Sequence, residues 1–287
     1  MHNRSGFQAE KRVFSAEKDI KGRGAMDKVK VVILCGGLGT RLREETEFRP
    51  KPMVTIGDKP ILWHIMKIYA NYGFNDFVLC LGYKGEMIKE FFYHYELLNN
   101  DFTVELGNNN HLEIYNRQNE NGWRVTLADT GHTAMTGSRI KRIEKYVDTD
   151  IFMLTYGDGL SDINLESLLK YHKSHKKIGT VTAVHPQSRY GELLVEKNSV
   201  IHYSEKPQME ESLVNGGFFV FNKYFFEYLD AKDDCALEKK PLEKLSADGE
   251  LMVYHHEGFW QSMDTFRDLQ LLNNLWNSGQ QPWKVWE

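Results

Sequence analysis

The chain reads as an α/β protein, with a mixed, mainly parallel sheet flanked by helices and a small antiparallel insertion. Three observations carry that reading. Short apolar runs of strand length alternate with stretches whose apolar residues recur at helical spacing. In the first half the order is strand, glycine loop, helix, strand, helix, which is the order of parallel strands joined by helical crossovers. Two apolar runs also stop at glycine turns carrying charge, Gly36-Gly37-Leu38-Gly39-Thr40-Arg41 and Gly157-Asp158-Gly159. Open α/β sheets present their ligand sites at such strand ends.

Taken in order, residues 29–34 are apolar apart from Lys30 and form a buried strand. Residues 61–72 carry apolar side chains at helical spacing, 77–81 form a short buried strand, and 86–95 a second helix. Over 102–129 the alternation is less regular, and Gly107-Asn108-Asn109-Asn110 marks a turn between short strands. A helix over 138–146, a strand over 151–156 and a helix over 165–175 follow. Residues 179–184, 191–195, 200–204 and 216–221 read as strands. A short helix at 241–247, a strand at 251–255 and a closing helix at 265–277 complete the chain. With no repeat and no low-complexity linker, residues 27–287 read as one domain. Residues 1–25 are polar and lack the apolar stretch of a secretory signal. Met26 is an alternative start, so 1–26 is taken as a flexible extension.

Bulk properties exclude several classes. The 287 residues are ample to bury a core, and 41% hydrophobic and 26% charged residues are ordinary for a globular protein. A net charge of -4 argues against a dedicated nucleic-acid or anionic-membrane surface, yet leaves room for a local cationic pocket. There is no apolar run of about 18 residues, so nothing is long enough to span a bilayer. The three cysteines form no CxxC pair. Cys35 and Cys80 end strand-like runs, as buried free thiols do, and a reducing cytoplasm fits them. The eleven histidines contain no HExxH pattern, and His255-His256 reads as a strand end.

The segment from Leu34 to Leu42, followed by Pro50-Lys51-Pro52-Met53, carries the chemistry. Glycines let backbone N–H groups approach anionic oxygens, while Arg41 and Lys51 add positive charge, so together they make a phosphate site. It is not a Walker A loop, which would end Gly-Lys-Ser/Thr, nor a dinucleotide fingerprint, which needs a glycine where Leu42 stands. Asp158, at a strand end between two glycines, is sterically open and suits a hard cation, though Gly-Asp-Gly alone is as often a plain turn.

These residues resemble the signature of the sugar-1-phosphate nucleotidyltransferases, which join a nucleoside triphosphate to a sugar phosphate and release pyrophosphate. Many members carry a proline shortly after the Arg-Leu pair, where this chain has Arg43-Glu44-Glu45-Thr46. That variant, with Pro60-Ile61-Leu62-Trp63-His64-Ile65-Met66 after it, resembles the glucose-1-phosphate cytidylyltransferase branch. The resemblance runs from about Val29 to Glu287.

It implies a Rossmann-like fold of the nucleotide-diphospho-sugar transferase type, Mg²⁺ as cofactor, and CTP and glucose 1-phosphate as substrates. Asp158 and Asp264 would be the metal ligands, although Asp264 also suits a helix cap or first turn. Arg41, Lys51 and Asp158 would be catalytic. The nucleotide would meet Leu34, Gly36, Gly37, Leu38, Gly39, Thr40, Arg41, Lys51 and Gly157. In the cytidylyltransferases the region of Met135-Thr136-Gly137-Ser138-Arg139 lines the base pocket, which makes Thr136, Gly137 and Arg139 nucleotide residues. Its plain reading is a helix cap through Thr136 or Ser138. The sugar phosphate would meet Tyr190 and Gly191, Glu205 and Lys206 of Glu205-Lys206-Pro207, and Asn215 and Gly216. Trp260, Trp276 and Trp283 read as packing residues.

Members of the family are generally homo-oligomers. The apolar carboxyl terminus suits either an interface or a cover for the core. One rival reading keeps the chemistry with another nucleotide or sugar phosphate. The other is a silent nucleotide-sugar sensor, which would be expected to lose Arg41, Lys51, Asp158 or Asp264, all of which are present.

Overall fold

The computed structural model describes residues 28–107, 111–115, 120, 122–186, 192–204 and 213–287. The extension expected over 1–26 lies outside them. Seven strands form the central sheet: β1 (Lys30–Cys35), β2 (Asp76–Leu81), β3 (Arg124–Asp129), β4 (Ile151–Tyr156), β5 (Gly179–Val184), β6 (Val214–Asn222) and β7 (Leu251–His256). Their order is β7-β5-β6-β4-β1-β2-β3, and all but β6 run parallel. This is the mixed, mainly parallel α/β sheet expected. Small antiparallel ladders sit outside it, among them Phe102–Glu105 with His111–Ile114 and Glu192–Glu196 with Ser199–Ser204.

Why β1 is central follows from its sequence. Every residue of it is buried, and alternate side chains enter two different cores. Val31, Ile33 and Cys35 join the apolar layer beneath helix α1 (Ile61–Asn71), while Val32 and Leu34 join Val78, Leu154 and Phe219 on the other face. Cys35 and Cys80 are buried free thiols, as read. Lys30 is buried because its ammonium reaches the Tyr146 carbonyl at 2.8 Å and Asp148 at 3.0 Å.

Two elements differ from expectation. Residues 124–129, read as part of an irregular stretch, form the edge strand β3. Only one side of it is paired and Ala128 is its sole fully buried residue, so its apolar alternation is muted. The helix expected over 138–146 is α-helical only as α2 (Thr136–Arg142), closing in a 3-10 turn at Glu144–Tyr146.

The apolar carboxyl terminus covers the core. Trp283 is fully buried, and Trp286 lies edge-on to Trp63 of α1 with ring centroids 5.8 Å apart. Trp276 packs edge-on to His64 of the same helix at 4.8 Å.

The topology places the site. The chain lays down β1, β2 and β3 in one direction and then returns to set β4 on the opposite side of β1. Strand order therefore reverses between β1 and β4, where such sheets open a crevice at their carboxyl ends. The glycine loop leaves β1 at that point, and Gly157-Asp158 leaves β4 beside it.

Candidate active site

Close packing makes the crevice. The Gly157 amide donates to the Leu34 carbonyl at 3.0 Å, and a Cβ on Gly157 would lie 2.7 Å from that oxygen and 3.0 Å from Pro52 Cγ. Only glycine lets β4 pass this close to the loop. Gly39 has φ of 63°, and a Cβ there would press on Thr46 Cγ2 at 2.6 Å. Thr46, within the variant that departs from the broader family, closes the loop from below. Its hydroxyl lies 3.0 Å from the Gly39 carbonyl and 2.9 Å from that of Leu42, and its own carbonyl accepts from Tyr83 Oη at 3.0 Å.

Above the loop lies a cavity of about 640 Å³, a size suited to a nucleotide. Leu34, Gly36, Gly37, Leu38, Gly39, Thr40, Arg41, Lys51, Thr136, Arg139, Gly157 and Asp158 all line it. Gly137 does not. It is turned toward the segment before the last short helix, where a Cβ would meet Cys235 Sγ at 2.7 Å.

At the mouth, four charged groups converge. Lys51 Nζ lies 2.5 Å from Asp158 Oδ2 and 2.8 Å from Asp264 Oδ1, and Arg41 Nη2 lies 2.8 Å from the same Asp264 oxygen. Burial alone would push the Lys51 ammonium down, but the two carboxylates outweigh it and hold its pKa above the ordinary value. Burial would likewise raise Asp264, but hydrogen bonding and charge from Lys51, with Arg41 adding to them, keep its carboxyl below the usual range.

The two aspartates meet because a short antiparallel ladder binds their flanks. Gly159–Ser161 pairs with Trp260–Ser262, and the Met263 amide donates to the Asp158 carbonyl at 2.8 Å. Asp264 is not the helix cap. Thr265 caps α-helix Phe266–Asn277 in a capping box with Asp268, whose carboxylate also accepts from the Asp264 amide at 3.1 Å. Asp264 thus faces the site.

The far wall is built from residues 132–136 and from Arg139, Ala236 and Glu238. Neither Thr136 nor Ser138 caps its helix, since the N-cap position is Met135 without a side-chain bond. Thr136 Oγ1 instead donates to Glu238 Oε2 at 2.8 Å. Arg139 is buried, and its guanidinium makes five hydrogen bonds, to the carbonyls of Gly36, Leu81, Gly131 and His132 and to Thr130 Oγ1. In this state it supports the loop from behind.

Asn215 Nδ2 reaches Tyr156 Oη at 3.3 Å, and the Gly216 carbonyl accepts from Trp260 Nε1 at 2.8 Å. Tyr190, Gly191, Glu205 and Lys206 lie outside the described residues. Sequence reasoning missed Tyr156 and Glu238. Tyr156 had a signal, standing at a strand end just before Gly157-Asp158. Glu238 had none, because its partners are remote in the chain.

The family model described as nucleotidyl transferase matches residues 30–277. The chain belongs to that family. Nucleotidyl transferase relatives are close in sequence. Glucose-1-phosphate cytidylyltransferase of Salmonella typhi is 48% identical over 260 residues, spanning 90% of this chain and all of the relative. A probable glucose-1-phosphate cytidylyltransferase of Bacillus subtilis is 45% identical over 258 residues, again covering 90% and 100%. Among solved structures, HddC from Yersinia pseudotuberculosis complexed with GMP-PN superposes with a TM-score of 0.63 at 23% identity, covering 86% of this chain and 99% of that one. This last likeness concerns the fold alone.

The family generally uses a divalent metal. Among the described residues no group of three or more His, Cys, Asp or Glu side chains gathers. Asp158 and Asp264 nevertheless aim one oxygen each at a single point, now taken by Lys51 Nζ. Two carboxylates completed by substrate phosphates and water are what Mg²⁺ ordinarily takes, so the pair fits.

Proposed function

We propose that this chain transfers a cytidylyl group from CTP to α-D-glucose 1-phosphate, giving CDP-glucose and pyrophosphate. The observation that carries the chemistry is the meeting of Arg41, Lys51, Asp158 and Asp264 at the mouth of the glycine-loop cavity. The choice of substrates rests on the cytidylyltransferase relatives at 45–48% identity.

A sugar-phosphate oxygen attacks the α-phosphorus in line. The new P–O bond forms as the bond to the β-phosphate oxygen breaks, and pyrophosphate carries away the electron pair. Phosphate oxygens are already ionised near neutrality, so no general base is required. The residues act by placement and charge. Arg41 and the loop amides hold the departing phosphates. Lys51 leaves its carboxylate partners for the α-phosphoryl oxygens, where charge builds up. Lys206 holds the sugar phosphate, Glu205 accepts from sugar hydroxyls, and Tyr190, Gly191, Asn215 and Gly216 line the sugar pocket. Thr136 and Arg139 shape the base end. A Mg²⁺ ion held by Asp158 and Asp264 would, when bound, neutralise and align the α-phosphate and sugar-phosphate oxygens.

We place this activity in a single domain over 27–287, in a cytoplasmic homo-oligomer. Among the described residues no helix is long and apolar enough to cross a membrane. The apolar pairs Phe102 with Ile114 and Val104 with Leu112 on an outlying hairpin, with Phe102, Val104 and Leu112 exposed, support an assembly.

The test is pyrophosphate release with glucose 1-phosphate and Mg²⁺, comparing CTP, dTTP, UTP, ATP and GTP. Strong preference for CTP is expected. Preference for another triphosphate would move the base assignment, and no release with any would remove the transferase reading.

A further inference from the structure

Among the described residues, two carboxylates line the cavity. Asp158 belongs to the cluster at its mouth, and Glu238 has no part in the mechanism above. A negative charge in a pocket meant for a triphosphate and a sugar phosphate opposes binding unless it meets a hydrogen-bond donor. Among the described residues, the cations that line the cavity are paired elsewhere. Arg41 and Lys51 are drawn to Asp158 and Asp264, and Arg139 to backbone carbonyls.

What surrounds Glu238 fixes it as an acceptor. Tyr156 Oη donates to Oε1 at 2.7 Å and Thr136 Oγ1 to Oε2 at 2.8 Å. Each hydroxyl gives its one proton to Glu238 and accepts elsewhere, Thr136 Oγ1 from the Leu237 amide at 2.9 Å and Tyr156 Oη from Asn215 Nδ2 at 3.3 Å. Burial, followed by the Glu238 charge, raises the Tyr156 phenol further above its ordinary value, so it stays a donor. Each carboxylate oxygen keeps a free lone pair for one further donor.

We propose that Glu238 is the specificity-determining acceptor for the nucleoside, taking a hydrogen bond from a neutral N–H or O–H donor of the bound nucleotide. This rests on the transferase reading above. The donor is either the exocyclic amine of an aminopyrimidine or a ribose hydroxyl. A uracil or thymine ring would turn a carbonyl oxygen toward the carboxylate where cytosine turns an amine, and would be repelled.

The experiment compares wild type and Glu238→Gln with CTP, UTP and dCTP at saturating glucose 1-phosphate and Mg²⁺, reading kcat/KM from pyrophosphate release. The variant should lose roughly tenfold to a hundredfold with CTP, the range for a hydrogen bond to a charged group. If the amine is the donor, the CTP-to-UTP ratio collapses and the CTP-to-dCTP ratio holds. If a ribose hydroxyl is the donor, the reverse is seen, and either pattern supports the assignment. A thermal melt confirms folding, and Glu238→Asp, which keeps the charge but shortens the reach, replaces a variant that does not fold. A folded variant that keeps both ratios and its CTP kcat/KM would overturn it. Wild type inert toward every triphosphate would overturn the transferase reading and this inference together. Wild type active on CTP beside an unchanged Glu238→Gln overturns this inference alone.

Discussion

Arg139 donates to the Gly36 carbonyl at 2.9 Å, tying a short helix to the start of a loop 103 residues earlier in the chain. A Cβ on Gly36 or on Gly82 would overlap the guanidinium, so both glycines make room for one side chain. Arg139→Lys keeps the charge but cannot reach all five partners. With several buried carbonyls left unpaired, it should cost ~2–4 kcal/mol of stability. It should also raise the KM for CTP while leaving that for glucose 1-phosphate near wild type. Urea unfolding together with initial rates checks both, and a fully stable variant would show that the loop stands without this support.

Asp158→Ala leaves Lys51 with one carboxylate in place of two. Turnover should fall by at least about a hundredfold at saturating substrates, comparable to losing a strong electrostatic stabiliser. Turnover within a few fold of wild type would take Asp158 out of the reacting centre.

Thr46→Val keeps the shape and removes the hydroxyl that bonds the Gly39 and Leu42 carbonyls. The stability cost should be about 1 kcal/mol, with a severalfold rise in KM for CTP. An unchanged KM in a destabilised variant would assign Thr46 to folding alone.

His64 sets a pH dependence. Its Nε2 donates to the Ile56 carbonyl at 3.0 Å and its Nδ1 accepts from Trp283 Nε1 at 3.4 Å, so the neutral ring is the one that fits. Burial, the dominant cause, pushes its pKa down to about 4. Below pH 6.5 the unfolded chain takes up a proton that the folded chain refuses. The stabilisation is therefore present above pH 6.5 and is lost as pH falls toward 4. Between pH 7 and 5 this group should account for about 2 kcal/mol of the decline. His64→Gln should be less stable at pH 7 but decline less steeply. Parallel slopes for the two proteins would reject the assignment.

Local chemistry was legible and tertiary coupling was not. The strand, the glycine loop, Arg41, Lys51 and Asp158 stand in one short-range pattern each, because a phosphate site needs bare backbone and charge close together. Asp264 entered as a metal ligand only through the resemblance, since nothing near it in the chain separates a site carboxylate from a helix cap, and its meeting with Lys51 came only with the structure. Thr265 turns out to take the cap. Arg139 was read, through the resemblance, as a base contact, and its support of the loop was not legible because the carbonyls it serves come from three separate stretches of chain. Glu238 was silent for the same reason. Strand β3 was obscured by its edge position, where one exposed side blunts the alternation that marks an inner strand.

The ladder between Gly159–Ser161 and Trp260–Ser262 has a bearing on when the protein becomes active as it is made. Asp158 leaves the ribosome with its strand long before Asp264 is translated, and only that ladder and the helix after it bring the second carboxylate into place. A nascent chain released before this point would hold one aspartate of the pair. The second aspartate is therefore positioned only once the Trp260–Ser262 strand has been made and has paired with Gly159–Ser161.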